Sequence, residues 1–77
     1  MAIKSAVLDS SAMLAYLRAE PGEEIVAALL QDPDVVCYAH AVNLTEVYYI
    51  ISRRSDKAAA LKDIQTLRRD GVIFGEI

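Results

Sequence analysis

The apolar positions change their period several times along the chain. "AVL" at 6–8, with Ile3 ahead of it, is a short unbroken apolar run and predicts a buried strand. From Ser11 to Ala19, Met13, Leu14, Tyr16 and Leu17 recur at helical spacing, with Ser10 or Ser11 placed to cap the first turn. "EPGEE" interrupts this helix, because Pro21 cannot continue it. Glu23 and Glu24 then stand in the first turn of a second helix, where they complement its dipole. Ile25, Val26, Leu29 and Leu30 give that helix its apolar stripe, and "QDPD" closes it.

"VVCY" at 35–38 opens with two β-branched residues after a turn signal and predicts a second strand. A third helix fits residues 41–54. Leu44, Val47, Tyr48 and Ile51 mark one of its faces, and Asn43, Glu46 and Ile50 lie on a neighbouring one. "SDKAAALKDIQTLRRDG" predicts a fourth helix. Ser55 or Asp56 caps it, Leu61, Ile64 and Leu67 are its core positions, Arg68 and Arg69 suit its negative end, and Gly71 stops it. "VIF" at 72–74 is a third strand. Short apolar strands separated by helical pairs imply an α/β fold, with a short parallel sheet of three strands and four helices covering both faces. In such sheets the working crevice lies at the carboxyl ends of the strands. Asp9 stands at that end of the first strand.

Composition narrows the class. Seventy-seven residues, 55% hydrophobic and 25% charged with few Gly and Pro, predict one ordered domain spanning 1–77, near the lower size limit for an unaided core. No apolar run is long enough for a membrane span, and no stretch at the N-terminus reads as a signal peptide. The lone Cys37 excludes an internal disulfide and suits a reducing cytoplasm. Charge is uneven. Residues 1–52 carry two bases against seven acids, whereas residues 53–77 carry six bases against four acids. A net charge of −3 excludes a general nucleic-acid coat, yet a local basic strip can still guide a strand toward an acidic site.

Asp9 beside Ser10 and Ser11 reads first as a helix cap, and as a cation ligand only in the company of a second carboxylate. Glu46, within the apolar stretch "VNLTEVYYII", is either turned out to solvent or held inward by a charge partner. Two carboxylates converging at a strand end are oxygen donors suited to Mg2+ or Mn2+. Asn43, one turn before Glu46, can orient it or touch a phosphate, and Ser10 or Ser11 can donate to the same cluster. His40 reads as an exposed or capping residue and Cys37 as a small core residue. Tyr48 and Tyr49 point about 100° apart on a helix, so one faces the core and the other outward. Tyr16 and Tyr38 read as core edges. A haloacid-dehalogenase phosphatase would need a second Asp where Ser11 stands, and a receiver domain an acidic pair at the first strand; neither is present.

"VLDSSAMLAYL" followed by "HAVNLTEVYYIISRR" resembles the first half of a PIN domain, the fold of VapC-type toxin ribonucleases. The resemblance implies a three-layer PIN-like fold, in which Asp9 and Glu46 are acidic ligands of a divalent metal. Ser10, Ser11 and Asn43 would support them or touch substrate. It further implies RNA as substrate, an antitoxin protein as a partner, and cleavage by metal-activated water. A complete PIN domain continues beyond the third strand into elements that supply further acidic residues, and its first strand lies mid-sheet. The chain is therefore expected to be truncated before the later strands, to bind its metal weakly, and to show no robust turnover alone. The exposed edge of the first strand, at Ile3, Ala6, Val7 and Leu8, is expected to be covered in a homodimer or larger assembly. The alternative is a non-catalytic PIN relative acting as a protein- or nucleic-acid-binding module.

Overall fold

The computed structural model describes residues 4–75. The elements run β1 (Lys4–Val7), α1 (Ser10–Arg18), α2 (Glu23–Gln31), β2 (Val35–His40), α3 (Ala41–Arg54), α4 (Lys57–Arg69) and β3 (Ile73–Gly75). Three parallel strands and four helices stand in the order that the apolar pattern predicts. The third helix matches at both ends. β1 begins earlier than its apolar run, because Lys4 and Ser5 pair with Val35 and Val36 although both are exposed. Ile3 lies outside the described residues. β2 runs two residues further than expected, to His40, which pairs with Gly75.

Strand order is β1-β2-β3, so both connections step the same way across the sheet. Parallel crossovers are right-handed, and two right-handed crossovers stepping in one direction place their helices on the same face. Burial agrees with this. Cys37 and Ala39 of β2 are buried in one cluster with Leu8, Met13 of α1, Val26 of α2, Val47 and Ile51 of α3, Ala60 and Leu67 of α4, and Val72. Ala6 and Phe74 pack against that cluster from the flanking strands. The alternating residues point the other way. Val7, Tyr38 and Ile73, in register across the three strands, are 57%, 37% and 47% exposed. All four helices thus lie on one face, which corrects the expectation that they cover both.

Helix ends follow from local chemistry. Asp9, rather than Ser10 or Ser11, caps α1: its Oδ1 accepts the Ala12 N–H at 2.8 Å, and the helix begins one residue earlier than the apolar spacing suggested. Asp56 caps α4 in the same way through the Ala59 N–H. Gly22 opens α2 at φ +103°, a left-handed conformation that a side chain would strain. Ala19 closes α1 at φ +53°, where glycine is the usual occupant.

Two apolar assignments shift. On α4 the buried line is Ala60, Ile64 and Leu67, while Leu61 is 54% exposed. α4 packs mainly on α3, and Ala60 rather than its neighbour Leu61 is the residue fully buried. On α2, Val26 is the buried anchor and Ile25 is exposed. Tyr16 and Tyr48 pack against the core from its margin, whereas Tyr49 and Tyr38 face outward. Cys37 is buried, and burial pushes its thiol pKa up, so it is an inert core residue.

Candidate active site

The carboxyl ends of β1 and β2 lead directly into α1 and α3. Leu8 N–H still donates to the Tyr38 carbonyl at 2.8 Å, so Asp9 stands level with the end of β2 and the start of α3. Asp9 is the N-cap of α1 and His40 the N-cap of α3. The two helices pack against each other and begin side by side.

Which flank of α3 faces Asp9 can be read from helical geometry. Residues advance about 100° each, so Val47 and Ile51, both buried, define the side turned to the core. Ala41 and Leu44 lie on one flank, where with Phe74 and Gly75 they line a groove beside β3. Asn43 and Ile50 lie on the opposite flank, and Glu46 lies just above them. Since β2 separates β3 from β1, that flank is turned toward β1 and α1. Asn43 and Glu46 therefore share the side of α3 on which Asp9 stands. Along the helix axis Glu46 is six residues past His40, about 9 Å.

Asp9 and Glu46 are both exposed, and Asn43 and Ser10 half-buried. Glu46 is thus turned out to solvent rather than held inward by a charge partner. Asp9 uses one carboxylate oxygen as a cap, which leaves the other facing solvent. Its negative charge sits at the positive end of the α1 dipole. Ser11 is exposed on the first turn of α1. His40 makes no side-chain capping bond to α3, so its ring is not committed to that structural role.

The sequence model of the PIN domain matches residues 6–75. The chain belongs to the PIN domain family. Family membership brings nuclease chemistry and a general dependence on divalent metal, and the donor set can be tested against that. Two solvent-facing carboxylates and an amide are hard oxygen donors of the kind Mg2+ accepts, commonly with retained waters and substrate phosphates completing the shell. Their number is small. Among the described residues no group of three or more His, Cys, Asp and Glu side chains is placed to hold a metal. Glu76 lies outside the described residues. Oxygen donors of this kind suit a divalent cation, and Asp9 and Glu46 are the residues that would hold it. No curated protein and no solved structure matches the chain. Among the described residues no helix is long and apolar enough to cross a membrane.

A second polar constellation escaped sequence reasoning altogether. The Tyr16 hydroxyl donates to Asp70 Oδ2 at 2.6 Å, and Arg69 Nε donates to Asp70 Oδ1 at 3.2 Å. The Asp70 bond raises the Tyr16 pKa to about 12, with burial adding to it. The same bond holds Asp70 below the usual carboxylate range, against the opposing effect of its own desolvation. Tyr16 is near the end of α1 and Asp70 just before β3, so this cluster lies at the amino end of the sheet, away from Asp9. The partners are 54 residues apart in sequence, and no spacing pattern announces such a pair.

Proposed function

We propose that this PIN domain is a metal-dependent endoribonuclease of the VapC-type toxin class, cleaving RNA phosphodiesters in the cytoplasm. The observation that carries the reading is the placement of Asp9 and Glu46, both exposed, on facing elements at the carboxyl end of a PIN-family sheet. Asp9 and Glu46 are the metal-holding and catalytic pair. Asn43 orients Glu46 or meets a phosphate, and Ser10 and Ser11 donate toward substrate from the first turn of α1. Mg2+ or Mn2+, when bound, would supply an activated water and charge neutralisation at the scissile phosphate. The buried free thiol of Cys37 suits a reducing compartment.

Partners follow from the same reading. An antitoxin protein is the expected inhibitor. In addition, β1 has one strand neighbour among the described residues, with exposed Val7 at its edge. Free edges of this kind invite pairing, so a homodimer or larger assembly covering β1 is proposed. Sedimentation at micromolar concentration should report at least twice the 8.4 kDa chain mass. A stable monomer would remove that element.

The small donor set favours a second reading, in which the chain binds RNA or protein through the PIN fold without turnover. Cleavage of single-stranded RNA separates the two. Magnesium-dependent cleavage that disappears in Asp9→Asn establishes the enzyme. RNA binding with no cleavage at any magnesium concentration establishes the binding module.

A further inference from the structure

We infer that the groove between the start of α3 and the end of β3 is a nucleobase subsite for single-stranded RNA. This rests on the ribonuclease reading and specifies how substrate would lie. The groove has a volume of about 220 Å³ and is lined by Ala41, Leu44, Phe74 and Gly75. The side chains that line it are apolar, which suits a base rather than a phosphate.

Charge beside the groove selects a polyanion over an apolar peptide. The guanidinium carbon of Arg68 lies 4.7 Å from the centroid of the Phe74 ring. Arg68 is exposed, and it belongs to the part of the chain in which bases outnumber acids. The arginine plane stacked over the aromatic ring is a surface on which an unstacked RNA base can settle, while its charge serves the adjoining phosphate.

Position ties the groove to Asp9 and Glu46. Ala41 and Leu44 occupy one flank of α3, and Asn43 and Glu46 the other, on the first two turns of the same helix. A strand crossing the start of α3 passes from the carboxylates to the groove over roughly one helix diameter, about 10 Å. One base of that strand therefore reaches the groove while a neighbouring phosphate lies at the carboxylates. Among the described residues other than its chain neighbours, nothing lies within 4 Å of where a Cβ on Gly75 would be.

The test measures binding, with cleavage silenced by a chelator, so that it does not depend on turnover. Fluorescence anisotropy of the wild-type chain is compared for a labelled single-stranded oligoribonucleotide and an abasic strand of equal length. The intact strand should bind about tenfold more tightly. Phe74→Leu, which keeps apolar bulk at a half-buried position, should remove that tenfold difference with an unchanged circular dichroism spectrum. Arg68→Gln should weaken both strands and flatten the salt dependence. Equal affinity for the two strands, or an undiminished difference in Phe74→Leu, overturns the subsite and leaves the ribonuclease reading standing. Self-association abolished by Phe74→Leu with RNA affinity intact makes the groove a contact between copies and also overturns it. Binding of neither strand overturns the subsite and the ribonuclease reading together.

Discussion

The two ends of the sheet use polar residues in opposite ways. At the amino end, Tyr16, Arg69 and Asp70 bond to one another, and Asp70 carries donors on both carboxylate oxygens. At the carboxyl end, Asp9 gives one oxygen to a cap and keeps the other facing solvent, while Glu46 stands exposed. The first arrangement closes its hydrogen bonds within the chain and ties α1 to the start of β3. The second leaves acceptor capacity for something that arrives from outside. Both ends contain an acid on a well-formed helix terminus, so residue type alone does not separate them. Partnering does.

The largest expected effect breaks the contrast at the carboxyl end. Calorimetry with manganese should show weak binding to the wild-type chain. Asp9→Asn or Glu46→Gln should each weaken it by at least about tenfold. Asp9→Asn should leave the melting temperature nearly unchanged, because Asn caps a helix about as well as Asp. Asp9→Ala, by contrast, should lose both the metal and about 1 kcal/mol of stability. Metal affinity unchanged in Asp9→Asn would reduce Asp9 to a cap.

At the amino end a change should register in stability and not in metal binding. Tyr16→Phe removes the donor from a partly buried carboxylate and should cost about 1–3 kcal/mol in denaturant unfolding. Manganese affinity should be unaltered. The Arg69–Asp70 pair should add little, because Arg69 is exposed. A neutral Tyr16→Phe would mean that the two ends do not differ as described.

The pH dependence sharpens the same point. Asp70 has a lowered pKa in the folded chain. Its contribution is present above the unfolded carboxylate pKa and is lost as pH falls through the folded value. Tyr16 is raised from 10.0 to about 12, so its contribution is present below 10.0 and is lost as pH rises toward 12. Tyr16→Phe should flatten both limbs of a stability–pH curve, and Glu46→Gln should flatten neither. The smallest effect is expected at Ala19, where Ala19→Gly relieves a left-handed backbone and should raise stability by up to about 1 kcal/mol.

What could be read from sequence follows the range of the interactions involved. α3 was legible at both ends because Val47, Tyr48 and Ile51 repeat at helical spacing between a strand and a run of charge. Asp9 was legible as a strand-end acid, since the apolar run before it and the helix after it are local features. Leu61 misled, because its spacing suits a core position although its neighbour Ala60 is the residue that is buried. The early start of β1 was hidden by Lys4 and Ser5, which pair through backbone groups that side-chain polarity does not report. Placing Asn43 and Glu46 on the β1 side of α3 needed the strand order, which no local pattern contains.

The one-way stepping of the strands also bears on how the chain folds as it is made. Lys4 pairs with Val35 and Tyr38 with Ile73, so each strand docks on the one synthesised just before it. No earlier pairing has to open to admit a later strand. A ribosome releasing the chain from its N-terminus would present β1, then the α1–α2 pair with β2, then the α3–α4 pair with β3, each able to settle on a finished edge. Asp9 and Glu46 come onto neighbouring elements once α3 has docked, before β3 is added. The carboxyl-end site is thus an early product of folding, whereas the Tyr16–Asp70 bond closes only when the end of α4 returns to α1.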